Sequence, residues 1–136
     1  MNKGPLKHLV YLWLPPVLWM ALIFYFSSQA QTSLPDFGAF EFSIKKLAHV
    51  TVYVVLYLLL FRALRGIPGY RLAGLGIHVL PAIVSILYAI SDEIHQTFVS
   101  GRKGTFSDVL IDCIGILGGY LLARRYLKRP CKKWSR

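Results

Sequence analysis

Charge is scarce in this sequence: 16% of its 136 residues are Asp, Glu, Lys or Arg, where an ordinary soluble domain carries roughly 25%. Acids are scarcest, six against sixteen Lys and Arg, for a formal net charge of +10. Cysteine is almost missing too. Cys113 lies in an apolar run and Cys131 in a basic tail, which excludes a disulfide framework and a cysteine-built metal motif. Also lacking are a nucleophile elbow, a Gly-rich phosphate loop with its lysine, and HExxH. No internal repeat, heptad pattern or low-complexity tract is evident. Together these absences leave neither a soluble domain nor a standard catalytic motif.

Apolar residues are what the chain has, at 55%. A spanning helix needs about 20 of them in a row, so four spans with short connections take up nearly all of the chain, leaving no room in it for a second domain. The pattern predicts an all-α, integral membrane four-helix bundle, one transmembrane domain over 1–136 with helices near 9–28, 44–64, 72–98 and 106–124. Pro15 and Pro16 predict an early kink in the first span. A cleaved signal peptide is the rival reading there, with Ser28 and Ala30 as small residues, but the apolar core exceeds the usual length of about 7 to 15 residues. The turn-rich stretch from Gln29 to Ser43 reads as a loop with room for one short interfacial helix.

The charges sort by side. With four spans, both termini and the connection 65–71 share one face, and twelve of the sixteen basic residues lie there. Only Lys45, Lys46, Arg102 and Lys103 belong to the other face. The positive-inside rule therefore predicts cytoplasmic termini in a multi-pass protein of the cell membrane. Basic residues flanking apolar spans anchor them to anionic headgroups, which sets nucleic acid aside as a partner. All six acids, Asp36, Glu41, Asp92, Glu93, Asp108 and Asp112, fall in or beside the outward loops.

An ionisable group below the membrane surface lines a cavity or finds a partner. Lys46, His49, Tyr53 and Tyr57 recur at helical spacing and form one descending stripe. Tyr88, Asp92, His95 and Val99 share a face, with Gln96 beside them, while Glu93 points about 100° away, toward a different helix. Asp108 and Asp112 continue into Gly115 and Gly119, small residues that let helices approach closely. Ser27, Ser28 and Gln29 end the first span at the same level.

Each group has a bland and a functional reading. Lys45 and Lys46 can snorkel to headgroups. His49 is either a hydrogen-bonded bundle histidine or a group that titrates near neutrality to do work. Arg102, between two glycines, suits a phosphate or carboxylate as well as it suits Asp92 or Asp108. Asp92, Glu93, His95, Asp108 and Asp112 have the donor types for a divalent metal, in no recognised spacing.

Those residues resemble the VanZ-like family, through FSSQ at 26–29, Lys46 with His49 and Tyr53, SDEIHQTFVSGRKGTFSDVLID at 91–112, and Gly115. The resemblance implies a small bacterial membrane protein of the cell envelope; the family's name member is associated with teicoplanin resistance. It carries functional positions onto Ser28, Gln29, Lys46, His49, Asp92, Glu93, His95, Gln96, Arg102, Asp108 and Asp112.

The expected function is binding of an amphiphile's head, from a membrane lipid, a lipid-linked cell-wall intermediate or a lipoglycopeptide, in an outward polar pocket. The ligand set is Ser28, Gln29, Lys46, His49, Gln96, Arg102 and Asp112. The alternative is a membrane enzyme acting on a lipid or polyprenyl phosphate, with His49, Asp92, Glu93, His95 or Asp108 in acid–base roles and a divalent metal on Asp92, His95, Asp108 or Asp112. A proton- or ion-coupled relay is a third reading, and the lack of any acid toward the cytoplasmic side argues against it.

Overall fold

The computed structural model describes residues 5–30, 39–67, 76–102 and 104–128, with side chains placed for 6–30, 43–67, 76–102 and 104–128. The chain forms α1 (Pro5–Ser27), α2 (Ala39–Arg65), α3 (Gly76–Gln96) and α4 (Phe106–Lys128), with no strand among the described residues. Each helix is long and apolar enough to cross a bilayer, so the architecture is that of an all-α, multi-pass membrane bundle.

Several boundaries differ from those the sequence predicts. α2 begins at Ala39, inside the stretch read as loop, and Glu41 is helical; Asp36 lies outside the described residues. The predicted start of the third span at 72 also lies outside them. α3 stops at Gln96 instead of Phe98 because the chain tightens into i→i+3 turns: Thr97, Phe98 and Val99 donate to Ile94, His95 and Gln96, and Arg102 to Val99. Gly101, at φ 77°, completes that reversal in the left-handed region that glycine alone enters freely. α1 is one helix that contains Pro15 and Pro16.

α2 is the hub. It packs against all three other helices, most extensively against α4, and the backbones of α1 and α4 do not approach each other closely among the described residues. Tyr53, Leu56, Tyr57, Leu60 and Phe61 of α2 form the core with Ala89 of α3 and Ile116 and Ala123 of α4. The outward sides of α1, α3 and α4 expose Leu14, Leu18, Leu87, Ile114 and Leu121, side chains that meet acyl chains in a bilayer.

Because acyl chains are as apolar as these side chains, the helices cohere by close packing more than by hydrophobic burial. The glycines of α4 supply it: a Cβ on Gly115 would collide with the carbonyl oxygen of Val50, and one on Gly119 would lie 2.9 Å from Tyr57 Cβ. Tyr57 cannot swing away cheaply, since its hydroxyl shares a 2.9 Å hydrogen bond with His78 Nδ1. Gly119→Ala is expected to destabilise the bundle by roughly 1–2 kcal/mol through overpacking, read from thermal unfolding in detergent.

Candidate functional site

The polar residues gather where α1 ends, α3 ends and α4 begins. α1 loosens at its end, where the Ser28 amide still reaches Phe24 O at 2.9 Å but the Gln29 amide turns to Phe26 O at 3.3 Å, and side chains add donors to the terminal carbonyls. Ser28 Oγ donates to Phe24 O at 2.7 Å and Gln29 Nε2 to Tyr25 O at 3.2 Å. Arg102 Nη2 donates to Phe26 O at 2.8 Å and its Nε to Gln29 O at 3.0 Å. A cation at a helix C-terminus is favoured by the dipole as well as by the hydrogen bonds.

α4 begins with a cap. The Asp108 amide donates to Thr105 Oγ1 at 3.3 Å, and Thr105 Oγ1 donates to Asp108 Oδ2 at 2.8 Å, so Thr105 is the N-cap of α4. Asp108 then forms an ion pair with Lys46 of α2. Lys46 is thus held inside the bundle mouth instead of snorkelling to headgroups.

Asp92 and Glu93 are neighbours in sequence, both buried, and face different helices. Asp92 Oδ2 accepts from Ser27 Oγ of α1 at 2.8 Å. Glu93 Oε2 accepts from the Thr105 amide, ahead of α4, at 3.1 Å. Gln96 ties them together, its Nε2 donating to Asp92 Oδ2 at 3.0 Å and Glu93 Oε1 at 3.2 Å, while its Oε1 accepts from Arg102 Nη1 at 3.3 Å. A continuous polar belt therefore runs from α1 to α4.

Deeper in the bundle, His49 Nδ1 of α2 donates to Asp112 Oδ1 of α4 at 3.0 Å. Asp112 is wholly buried. Three buried atoms, Asp112 Oδ2, Asp92 Oδ1 and the Tyr53 hydroxyl, have no partner among the described residues.

A cleft of about 590 Å³ opens onto this belt between α1 and α2. Trp19, Leu22, Ile23, Phe26 and Val52 make one wall apolar; Ser27, Lys46, His49, Gln96, Arg102 and Asp108 make the other end polar. Lys45 and Asp92 also line it. Trp19 is fixed by donating Nε1 to Val52 O at 3.1 Å.

The residues expected at the site thus divide. Lys46, His49, Asp92, Gln96, Arg102 and Asp108 border the cleft. Ser28 and Gln29 cap α1. His95 stacks on Phe24 at 4.5 Å between ring centroids and donates Nε2–H to Ser28 Oγ at 3.0 Å, since that hydroxyl spends its own proton on Phe24 O. The metal set of Asp92, His95, Asp108 and Asp112 does not come together. The donors that converge, within 4.8 Å of one another, are those of His49, Glu93 and Asp112.

Arg102 serves the end of α1 and Gln96 and bonds to neither Asp92 nor Asp108 among the described residues. Thr105 and Trp19 escaped the sequence reading. The Thr-x-x-Asp spacing ahead of an apolar run was the available signal for the first; none existed for the second. His78, unnoticed as well, belongs to the other half of the bundle, on Tyr57 and stacked on Phe61.

A family model described as VanZ/LLP1 matches residues 12–128. No curated protein and no solved structure matches the chain.

Proposed function

From its membership of the VanZ/LLP1 family, to which this chain belongs, and from the two-sided cleft, we propose that the protein binds the head of an anionic amphiphile at the level of the membrane surface. The ligand class is a lipid-linked envelope intermediate, such as a polyprenyl phosphate, or a lipoglycopeptide, both of which join a polar anionic head to a long apolar tail. The sorting of basic residues supports placing the cleft at the outer face of the cell membrane.

One observation carries the reading: a single cleft has an apolar wall along the helices and a polar end at their tips. Arg102 stands at that end, and its three partners, two backbone carbonyls and an amide oxygen, are all neutral. Among the described residues no carboxylate cancels its charge, which these neutral groups hold in place. A guanidinium has five N–H donors, so two remain for a ligand once these three are used.

The test is equilibrium binding of a fluorescent polyprenyl phosphate and, in a second arm, teicoplanin, to protein in detergent. Arg102→Ala and Trp19→Ala are each expected to weaken binding about tenfold or more, which corresponds to about 1.4 kcal/mol. Wild-type affinity in both variants would sink the reading. Binding in the teicoplanin arm predicts that raising expression shifts teicoplanin susceptibility.

The His49–Asp112 pair favours a second reading, catalysis on the same lipid, because a histidine oriented by a carboxylate is an acid–base unit. Turnover of polyprenyl phosphate or phospholipid by the purified protein supports it; no turnover with or without divalent metal discards it.

A further inference from the structure

We infer that His49, Glu93 and Asp112 form a binding site for one divalent cation of the Mn²⁺ or Mg²⁺ class, set between α2, α3 and α4. The inference stands on the trio's own geometry and does not require the cleft to hold an amphiphile.

The spacing comes first. One imidazole nitrogen and two carboxylate oxygens lie within 4.8 Å of one another. Ions of this kind hold ligands at about 2.1 Å, so donors at right angles sit about 3.0 Å apart and opposed donors about 4.2 Å apart. His49 Nδ1 and Asp112 Oδ1 are already 3.0 Å apart, with a proton between them that a cation bound to both atoms would displace to solvent, and closing the widest gap takes a shift of well under an ångström.

Charge is the second argument. Asp112 and Glu93 are both buried in a bundle surrounded by lipid. Glu93 is met only by the amide of Thr105 and the side-chain amide of Gln96, and Asp112 only by His49, among the described residues. Among the described residues no lysine or arginine reaches either of them, whereas Asp108 has Lys46, and His49 offsets at most one of the two negative charges. Buried carboxylates without a countercharge are costly, and a coordinated cation removes that cost.

Unused ligand capacity is the third. Asp112 Oδ2 is buried without a partner, and so is the hydroxyl of Tyr53, which stands one helical turn beyond His49 and within electrostatic reach of Asp112, Asp92 and Glu93. Among the described residues, one orphaned oxygen is thus on the trio itself and the other on a residue one helical turn from His49. One nitrogen among oxygens suits a hard to borderline ion, above all Mn²⁺. Three protein ligands leave coordination positions open, and His49 and Tyr53 line the cleft, so the cation stands beside whatever anion the cleft admits.

The test uses the full chain in detergent, stripped with EDTA and titrated with Mn²⁺ under electron paramagnetic resonance. One ion per chain is expected, with hyperfine coupling to a single imidazole nitrogen that disappears in His49→Gln. Affinity should fall at least tenfold in Asp112→Asn and in Glu93→Gln, whereas Thr51→Ala, on the exposed side of α2 where its hydroxyl bonds to Leu47 O, should bind as wild type does. Thermal unfolding identifies any variant that fails to fold, and the wild-type spectrum decides without it. No saturable binding of Mn²⁺ to wild type, no nitrogen coupling, or full affinity in both carboxamide variants overturns the site.

Discussion

Replacing Gly104 with alanine is expected to destabilise the protein by about 3 kcal/mol, at the upper end of what one added methyl costs in a packed interior. A Cβ there would overlap the backbone carbonyl oxygen of Glu93 and approach Thr97 Cγ2 to 3.0 Å. A side chain can rotate out of the way, but a carbonyl in the last turn of α3 cannot move without its helix. The connection must lift instead, drawing the Thr105 amide from Glu93 and the Thr105 cap from α4. Thermal unfolding in detergent measures the first effect and loss of Mn²⁺ affinity the second. Stability within about 0.5 kcal/mol of wild type, the range of a neutral surface change, would show that the connection yields freely and that Glu93 is not positioned by it.

Asp112→Asn should act in the opposite direction on stability. Without metal, the variant is expected to be more stable than wild type by about 1–3 kcal/mol, because a wholly buried carboxylate with one oxygen unpartnered among the described residues is exchanged for a neutral group of the same shape, whose burial costs less. The hydrogen bond from His49 survives on the amide oxygen. Added Mn²⁺ should reverse the order: at a hundredfold excess over Kd a native-state ligand contributes about 2.7 kcal/mol, and only wild type collects it. Paired melts in EDTA and in Mn²⁺ read both signs. If the variant melts below wild type in EDTA, Asp112 is there to hold the bundle together rather than to bind an ion.

The four helices were legible because their apolar runs are long and their breaks carry glycine, proline and charge. The stripe from Asp108 through Gly119 was legible for a related reason, since helical spacing fixes which residues share a face. Spacing does not say which neighbour a face will meet. Asp92 and Glu93 show the limit: periodicity separates their directions by about 100°, yet only the arrangement of helices sends one to Ser27 and the other to Thr105. His95 looked like a ligand beside Asp92, but it turns to Phe24 and Ser28. Arg102 reaches carbonyls 73 and 76 residues away, a contact with no local signature. The convergent donors were missed as a set because they come from three helices.

The attachments of α1 also order events during synthesis. Trp19 bonds to Val52 of α2, but Tyr88 donates to Met20 at 2.6 Å, Asp92 holds Ser27, and Arg102 holds Phe26 and Gln29. α1, made before the other three helices, therefore completes its docking only after residue 102 has been translated. Until then its polar tip has nothing to close against, and the site forms as a late step of membrane insertion, once α3 and the turn behind it have arrived.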